Sequence, residues 1–202
     1  SIETAIRDVV KQLLNSGIRK MYWDSGYTQR LDTAVRRNIQ DGVKQINQKI
    51  QDEIGKQIGA DGKELSVHEN SAPDHEPFQG HQFTNEEYAK LQSNQSFHDV
   101  EGEVFDGVQR IIGEWNCRHF AYSIIVGKSK PKYTKEQLQG FIDRNNVGYT
   151  TEDGKHMTLY ECTQMQRKLE TKIRYAKEEQ MIMKELGDNL QRRIIEDRKS
   201  VV

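Results

Sequence analysis

Between Leu31 and Ile58 eight aliphatic residues, Leu31, Val35, Ile39, Val43, Ile46, Ile50, Ile54 and Ile58, follow one another at intervals of three or four. That spacing matches the 3.6-residue period of an α-helix and predicts one continuous helix of about eight turns. Gly59-Ala60-Asp61-Gly62 stops it. A stripe one residue wide per turn cannot stabilise a helix of that length alone, so it is expected to pack on another helix or along a sheet edge. Two further stripes flank it. Ile2, Ile6, Val9 and Leu13, with Val10, Leu14 and Ile18, predict an amphipathic helix ending near Gly17. Met165, Leu169, Ile173, Ala176, Met183, Leu186, Leu190 and Ile194 predict a long final helix that frays beyond Glu196.

The middle of the chain has a different character. Met21 to Tyr27 reads as a connection with Asp24-Ser25-Gly26 as its turn. Leu65, Val67 and His68 open a short extended segment, and residues 70–80 form a loop holding two of the three prolines. Glu86 to Leu91 reads as a helix capped by Thr84 or Asn85. Val100, Val104 and Phe105 frame a hairpin around Glu101-Gly102-Glu103, and Trp115 to Val126 is expected to be the most buried strand. Thr134 to Arg144 opens with a Thr-x-x-Gln capping box, and a hairpin from Tyr149 to Met157 turns at Asp153-Gly154. The fold class is therefore α+β: a helical region over 1–62, a compact module with a small, mainly antiparallel sheet over 63–160, and a helix over 161–202 packing on the rest.

With 202 residues the chain can form one or two domains. Only 34% of it is hydrophobic, 30% is charged and the mean hydropathy is -0.89, so much of it must be solvated helix face or polar loop. No run approaches the ~18 apolar residues that a membrane-spanning helix requires. Two cysteines, Cys117 and Cys162, do not make a disulfide scaffold, and a reducing compartment is expected. The net charge of -1 hides a strong asymmetry, since residues 61–106 carry 2 basic and 11 acidic side chains between three mildly basic segments. A uniform nucleic-acid-binding surface is not supported. On the last helix Arg167, Lys168, Lys172, Arg174 and Lys177 are offset by Glu170, Glu178 and Glu179, which favours a solvated face over a non-specific DNA contact.

Five of the six histidines, His68, His75, His81, His98 and His119, fall in the middle module with Cys117. On a strand Cys117 and His119 would share a face, so a thiolate and an imidazole could bind one ion, with His68 or His75 as partners. Zinc suits such a mixed nitrogen and sulfur set. The alternative is that Cys117 is a small buried hydrophobe and His119 a hydrogen-bonded core histidine. The same residues could also be catalytic, with His75 or His68 activating Cys117, or His68 and His119 working as an acid and base. No nucleophile elbow, phosphate-binding glycine loop or His-Glu-x-x-His helix accompanies them. Glu86-Glu87 and Asp52-Glu53 are expected on solvated helix faces, and Trp115 and Tyr122 in the core.

Several ordered motifs now converge. Tyr22-Trp23-Asp24-Ser25-Gly26-Tyr27 is followed by Arg30 to Asn38, then Ser66-Val67-His68-Glu69-Asn70 with Pro73-Asp74-His75 and Gly80. Gly113-Glu114-Trp115-Asn116-Cys117-Arg118-His119 comes next, and Tyr160-Glu161-Cys162-Thr163-Gln164 with Gln166 to Glu170 closes the series. Over about residues 20–180 this series resembles the phage minor capsid protein 2 family. Its core, Asp74, His75, Gly80, Trp115, Asn116, Cys117, Arg118 and His119, is also distantly similar to the head morphogenesis domain of phage Mu F-like proteins. There the second element usually ends Cys-Arg-Cys, where this chain has Cys117-Arg118-His119. Members of the minor capsid family have a helical region ahead of the part seen here, so the chain is expected to start internally. The resemblance implies a low-copy virion or prophage protein, made in the bacterial cytoplasm, whose partners are phage portal and head proteins. It would act in head assembly near the portal or head interior, or travel with the DNA. Some Mu F-like proteins are similar to modules that carry toxin domains. That keeps open a nuclease or NAD-consuming enzyme built on His68, His75, Cys117 and His119, although a single helix fills the chain after residue 160.

Overall fold

The aliphatic stripe lies on one helix, α2 (Leu31–Gln57), in the computed structural model, which describes residues 1–15, 20–22, 24–107, 110–113 and 117–199, the side chains of 14–15 and 188–199 excepted. Gly59, at φ +68°, ends it as expected. α1 (Ile2–Asn15) packs against α2 and buries Ile6. Its expected end at Gly17, and Ile18, lie outside the described residues. The connection between the helices is a hairpin, β1 (Lys20–Tyr22) with β2 (Thr28–Arg30), turning through Gly26 at φ +77°. Strands of three residues are too short to display an alternating pattern, which is why the sequence read as a plain connection; Trp23 lies outside the described residues.

A three-stranded antiparallel sheet in the order β4-β3-β7 forms the centre of the first compact unit, residues 1–140. β3 (Gly62–Leu65) pairs with β4 (Gln82–Thr84) through Gly62↔Thr84, and with β7 (Ala121–Ile124) from Gly62↔Ile124 to Leu65↔Ala121. The strand expected over Trp115 to Val126 is thus only four residues long, because β3 offers four residues of ladder and no more. α3 (Asn85–Gln92) follows β4 and is capped by Thr84, whose hydroxyl accepts the Glu87 N–H. A hairpin of β5 (Phe97–His98) and β6 (Val104–Phe105) completes the layer. Leu65, Phe78, Phe83, Leu91, Phe97, Phe105, Ile112 and Ala121 make one core, with Cys117 packed against it. Its four phenylalanines meet edge to face or stacked at 5.2–6.4 Å.

α2 runs along the free edge of β7, but with a different face from the one expected. Gln48 brackets Ala121, its Nε2 donating to the Ala121 carbonyl at 2.9 Å and its Oε1 accepting the Ala121 N–H at 3.1 Å. Asp52 takes the Lys63 ammonium at 2.5 Å, and Ser123 donates to the Gln51 carbonyl. Gly55 has no room for a side chain beyond the Ser123 hydroxyl. An edge strand presents unpaired backbone groups, so a polar helix face satisfies it where an aliphatic one could not. Ile46, Ile50, Ile54 and Ile58 lie on the opposite side and remain 46–61% exposed. Two acidic residues expected on solvated faces are engaged. Asp52 is one, and Glu87 is the other, buried where it takes the Lys90 ammonium at 2.5 Å and the His98 N–H at 2.9 Å.

α4 (Lys135–Val147) opens on the anticipated capping box: Thr134 N–H donates to Gln137 Oε1, and Gln137 N–H to Thr134 Oγ1. The second compact unit, residues 141–202, holds the rest of α4 and the hairpin of β8 (Tyr149–Thr150) and β9 (His156–Met157). It continues into α5 (Leu159–Lys199), whose helical backbone extends past Glu196. Met165, Leu169, Ile173, Met183 and Leu186 are exposed on it, while the side chains of Leu190 and Ile194 lie outside the described residues. No described helix is long and apolar enough to cross a membrane.

Candidate functional site

His75, Cys117 and His119 come together on one side of the core. The loop carrying His75 folds back on itself, the His75 N–H donating to Ala72, and a single 3-10 turn over Glu76–Phe78 with Pro77 drives Phe78 into the core. His75 is thereby buried at 4% exposure. Gly80, at φ +78°, returns the chain to the sheet, and a Cβ there would strike Leu138 and Val67, so glycine is required on both counts. Cys117 and His119 precede β7 rather than lying on it, which corrects the argument that alternation along a strand would align them. They are instead fixed by polar contacts. Lys44 of α2 donates to the carbonyls of Cys117 and Gly113 at 2.6 and 3.0 Å, and Phe120 exchanges backbone and hydroxyl bonds with Ser66.

The Cys117 sulfur stands 3.9 Å from His75 Nδ1 and 3.7 Å from His119 Nδ1, and the three donor atoms all lie within 4.8 Å of one another. The opposite nitrogens define the tautomers. A carbonyl can only accept, so His75 Nε2 carries a proton and donates it to Arg110 at 2.8 Å. Gln79 Oε1 plays that part for His119 Nε2 at 3.4 Å, while also accepting the His68 N–H. In their neutral forms both rings therefore aim an Nδ1 lone pair at the sulfur. Burial alone would push the Cys117 thiol up. The imidazoles of His119 and His75 and the backbone N–H groups of Gly113 and His119 outweigh it and bring the thiol down to about 5. Burial disfavours charge on His75 too, yet Cys117, the Arg110 carbonyl and Asp74 raise its pKa above the ordinary value. Both shifts favour a thiolate at Cys117 with a proton held on the His75 ring.

His68 is near but points elsewhere. Its ring meets that of His119 edge to face at 4.8 Å, while its Nε2 donates to the Arg118 carbonyl at 2.8 Å. Burial and the neighbouring His119 lower its pKa, so it is neutral at physiological pH. Asp74 anchors the loop through a two-pronged pair with Arg110; although burial works against the charge, Arg110 and His75 hold its carboxyl below the usual range. Of the remaining motif residues, Trp115 and Asn116 lie outside the described residues, and Arg118 contributes its backbone carbonyl to His68. Tyr122 is 39% exposed, stacked on Phe120, and so is not the core residue expected.

Sequence reasoning missed Arg110, Gln79 and Lys44, which position the cluster through a backbone carbonyl, a side-chain amide and an ammonium on two carbonyls. No residue-type pattern marks such roles. A cleft of about 460 Å³, lined by Lys44, Gln48, Tyr88, Gln92, Gly113 and His119, adjoins the cluster. A second group, His81, Asp99 and Glu103, also converges. There Asp99 has already committed both oxygens, one to His81 Nδ1 at 2.7 Å and the other to the N–H groups of Glu101 and Glu103, each at 2.9 Å.

Compared with known protein families, the chain matches the family model of phage minor capsid protein 2 over residues 1–201. No curated protein and no solved structure matches the chain.

Proposed function

Because the chain belongs to the phage minor capsid protein 2 family, we propose that it is a low-copy structural component of the phage head, acting in head morphogenesis near the portal or accompanying the DNA. The observation that carries this reading is the extent of the family match, which takes in both compact units rather than the middle module alone. The exposed aliphatic residues of α2 and α5 support it, because apolar rows on helices are the kind of surface that a protein partner covers. The partners in this reading are portal and head proteins. The mixed charges of α5 make any DNA contact secondary and non-specific. In phage particles collected after induction of the source strain, quantitative mass spectrometry is expected to find this chain at a few copies per particle relative to the major capsid protein. Its absence from DNA-filled heads would overturn the virion role.

One observation favours a second reading. A thiol lowered to about 5 between two imidazoles has the parts of a cysteine nucleophile with its base. In that case the purified chain would turn over labelled RNA, DNA or NAD, and His75→Ala would abolish the turnover. Activity no greater than that of the variant would leave the structural reading in place.

A further inference from the structure

We propose that this chain binds one zinc ion through Cys117 Sγ, His75 Nδ1 and His119 Nδ1, with the fourth position left to water. Tetrahedral zinc with Zn–S near 2.3 Å and Zn–N near 2.0–2.1 Å requires sulfur-to-nitrogen edges of roughly 3.6 Å. The two sulfur-to-nitrogen edges here are 3.7 and 3.9 Å, so they close on the ion with movements of a few tenths of an ångström, and the two imidazole ligand nitrogens lie within 4.8 Å of each other. The donor set is that of zinc, a thiolate with two imidazoles. The outer partners are those that ligating histidines use: the nitrogen away from the sulfur donates to a carbonyl oxygen, which fixes the tautomer and turns the other lone pair inward.

Burial adds a second argument. His75 and His119 are 4% and 5% exposed and Cys117 packs against the core, so the ligands are held by the fold rather than gathered from the surface. The ion would join two segments that share no strand pairing, the loop ending at Gly80 and the approach to β7, and it would do so beside Arg110 and Gly113. It thereby puts one cross-link where the thiolate and imidazoles otherwise share a proton, and stabilises the folded state by the free energy of binding. The inference does not depend on the virion reading, because a metal-stabilised module serves a capsid component and an enzyme equally.

The test uses the full chain, stripped with a chelator and titrated with zinc or cobalt(II). Elemental analysis is expected to give one zinc per chain, and cobalt to show the near-ultraviolet thiolate charge-transfer band. A hundredfold excess over Kd should raise the melting temperature by roughly 5–10 °C for a chain of this size. Cys117→Ser and His119→Ala should each lose the band, whereas His81→Ala, from the neighbouring group, should keep it. If those ligand variants fail to fold, His75→Cys supplies a replacement thiolate and should bind cobalt with a stronger band. A wild-type chain that takes up neither metal and melts at the same temperature with and without zinc overturns the proposal. So does a cobalt band that survives Cys117→Ser.

Discussion

Asp99 shows how this chain buries a charge. It is 3% exposed, and each of its oxygens has a donor, His81 Nδ1 on one side and two backbone N–H groups on the other. Burial pushes its pKa up, but His81 and those N–H groups outweigh burial and leave the carboxyl below its unfolded value of 3.8. A depressed carboxyl contributes stability that is complete above the unfolded pKa and is lost as pH falls through the folded one. Asp99→Asn is therefore expected to cost about 1–3 kcal/mol at neutral pH. In urea titrations the gap between variant and parent should be constant above about pH 5 and shrink below the unfolded value. A gap that stays constant down to pH 2 would show that the charge does not matter. At this scale much of the candidate site was legible, because histidines and a cysteine crowd into one stretch of sequence. The geometric reason was not. His75, Cys117 and His119 are held in place by Arg110, Lys44 and Gln79, which act through backbone atoms or an amide and leave no signature in residue type.

The elements divide by how local their causes are. The capping box at Thr134 and the eight-turn period of α2 involve residues a turn or so apart, and both were legible. The length of β7 depends on how many residues β3 offers from a distant part of the chain, and its apolar run says nothing of that. The choice of face on α2 was likewise hidden, since an aliphatic stripe normally faces the core and here a polar face meets an open sheet edge. Two glycines of the same helix separate these effects. Gly42 has open space around it, so Gly42→Ala is expected to stabilise by up to about 1 kcal/mol through helix propensity alone. Gly55 abuts Ser123, so Gly55→Val is expected to lose about 1–3 kcal/mol by wedging α2 off β7. Chemical denaturation of both variants checks the pair. Equal effects of one sign would mean that α2 does not lie against the strand.

For the whole molecule, the question is what an aliphatic row turned away from its own sheet is for. Ile46, Ile50, Ile54 and Ile58 recur every fourth residue along about three turns of α2 and beyond its end, each about half exposed. Scattered exposed apolar residues are ordinary, whereas a row at helical spacing marks a surface for association. On the proposed virion role a head protein would cover this row, and a helix face read at i, i+4 and i+8 is a common mode of protein recognition. Ile50→Lys with Ile54→Lys separates folding from assembly. Because neither side chain is in the core, the melting temperature should stay within about 1–2 °C of the parent, as surface substitutions rarely exceed about 0.5 kcal/mol. Incorporation into particles should nonetheless fall at least tenfold, since burying an unpaired ammonium in an apolar contact costs more than the roughly 1.4 kcal/mol that a factor of ten represents. Normal incorporation of the folded double variant would move the assembly surface off this face of α2.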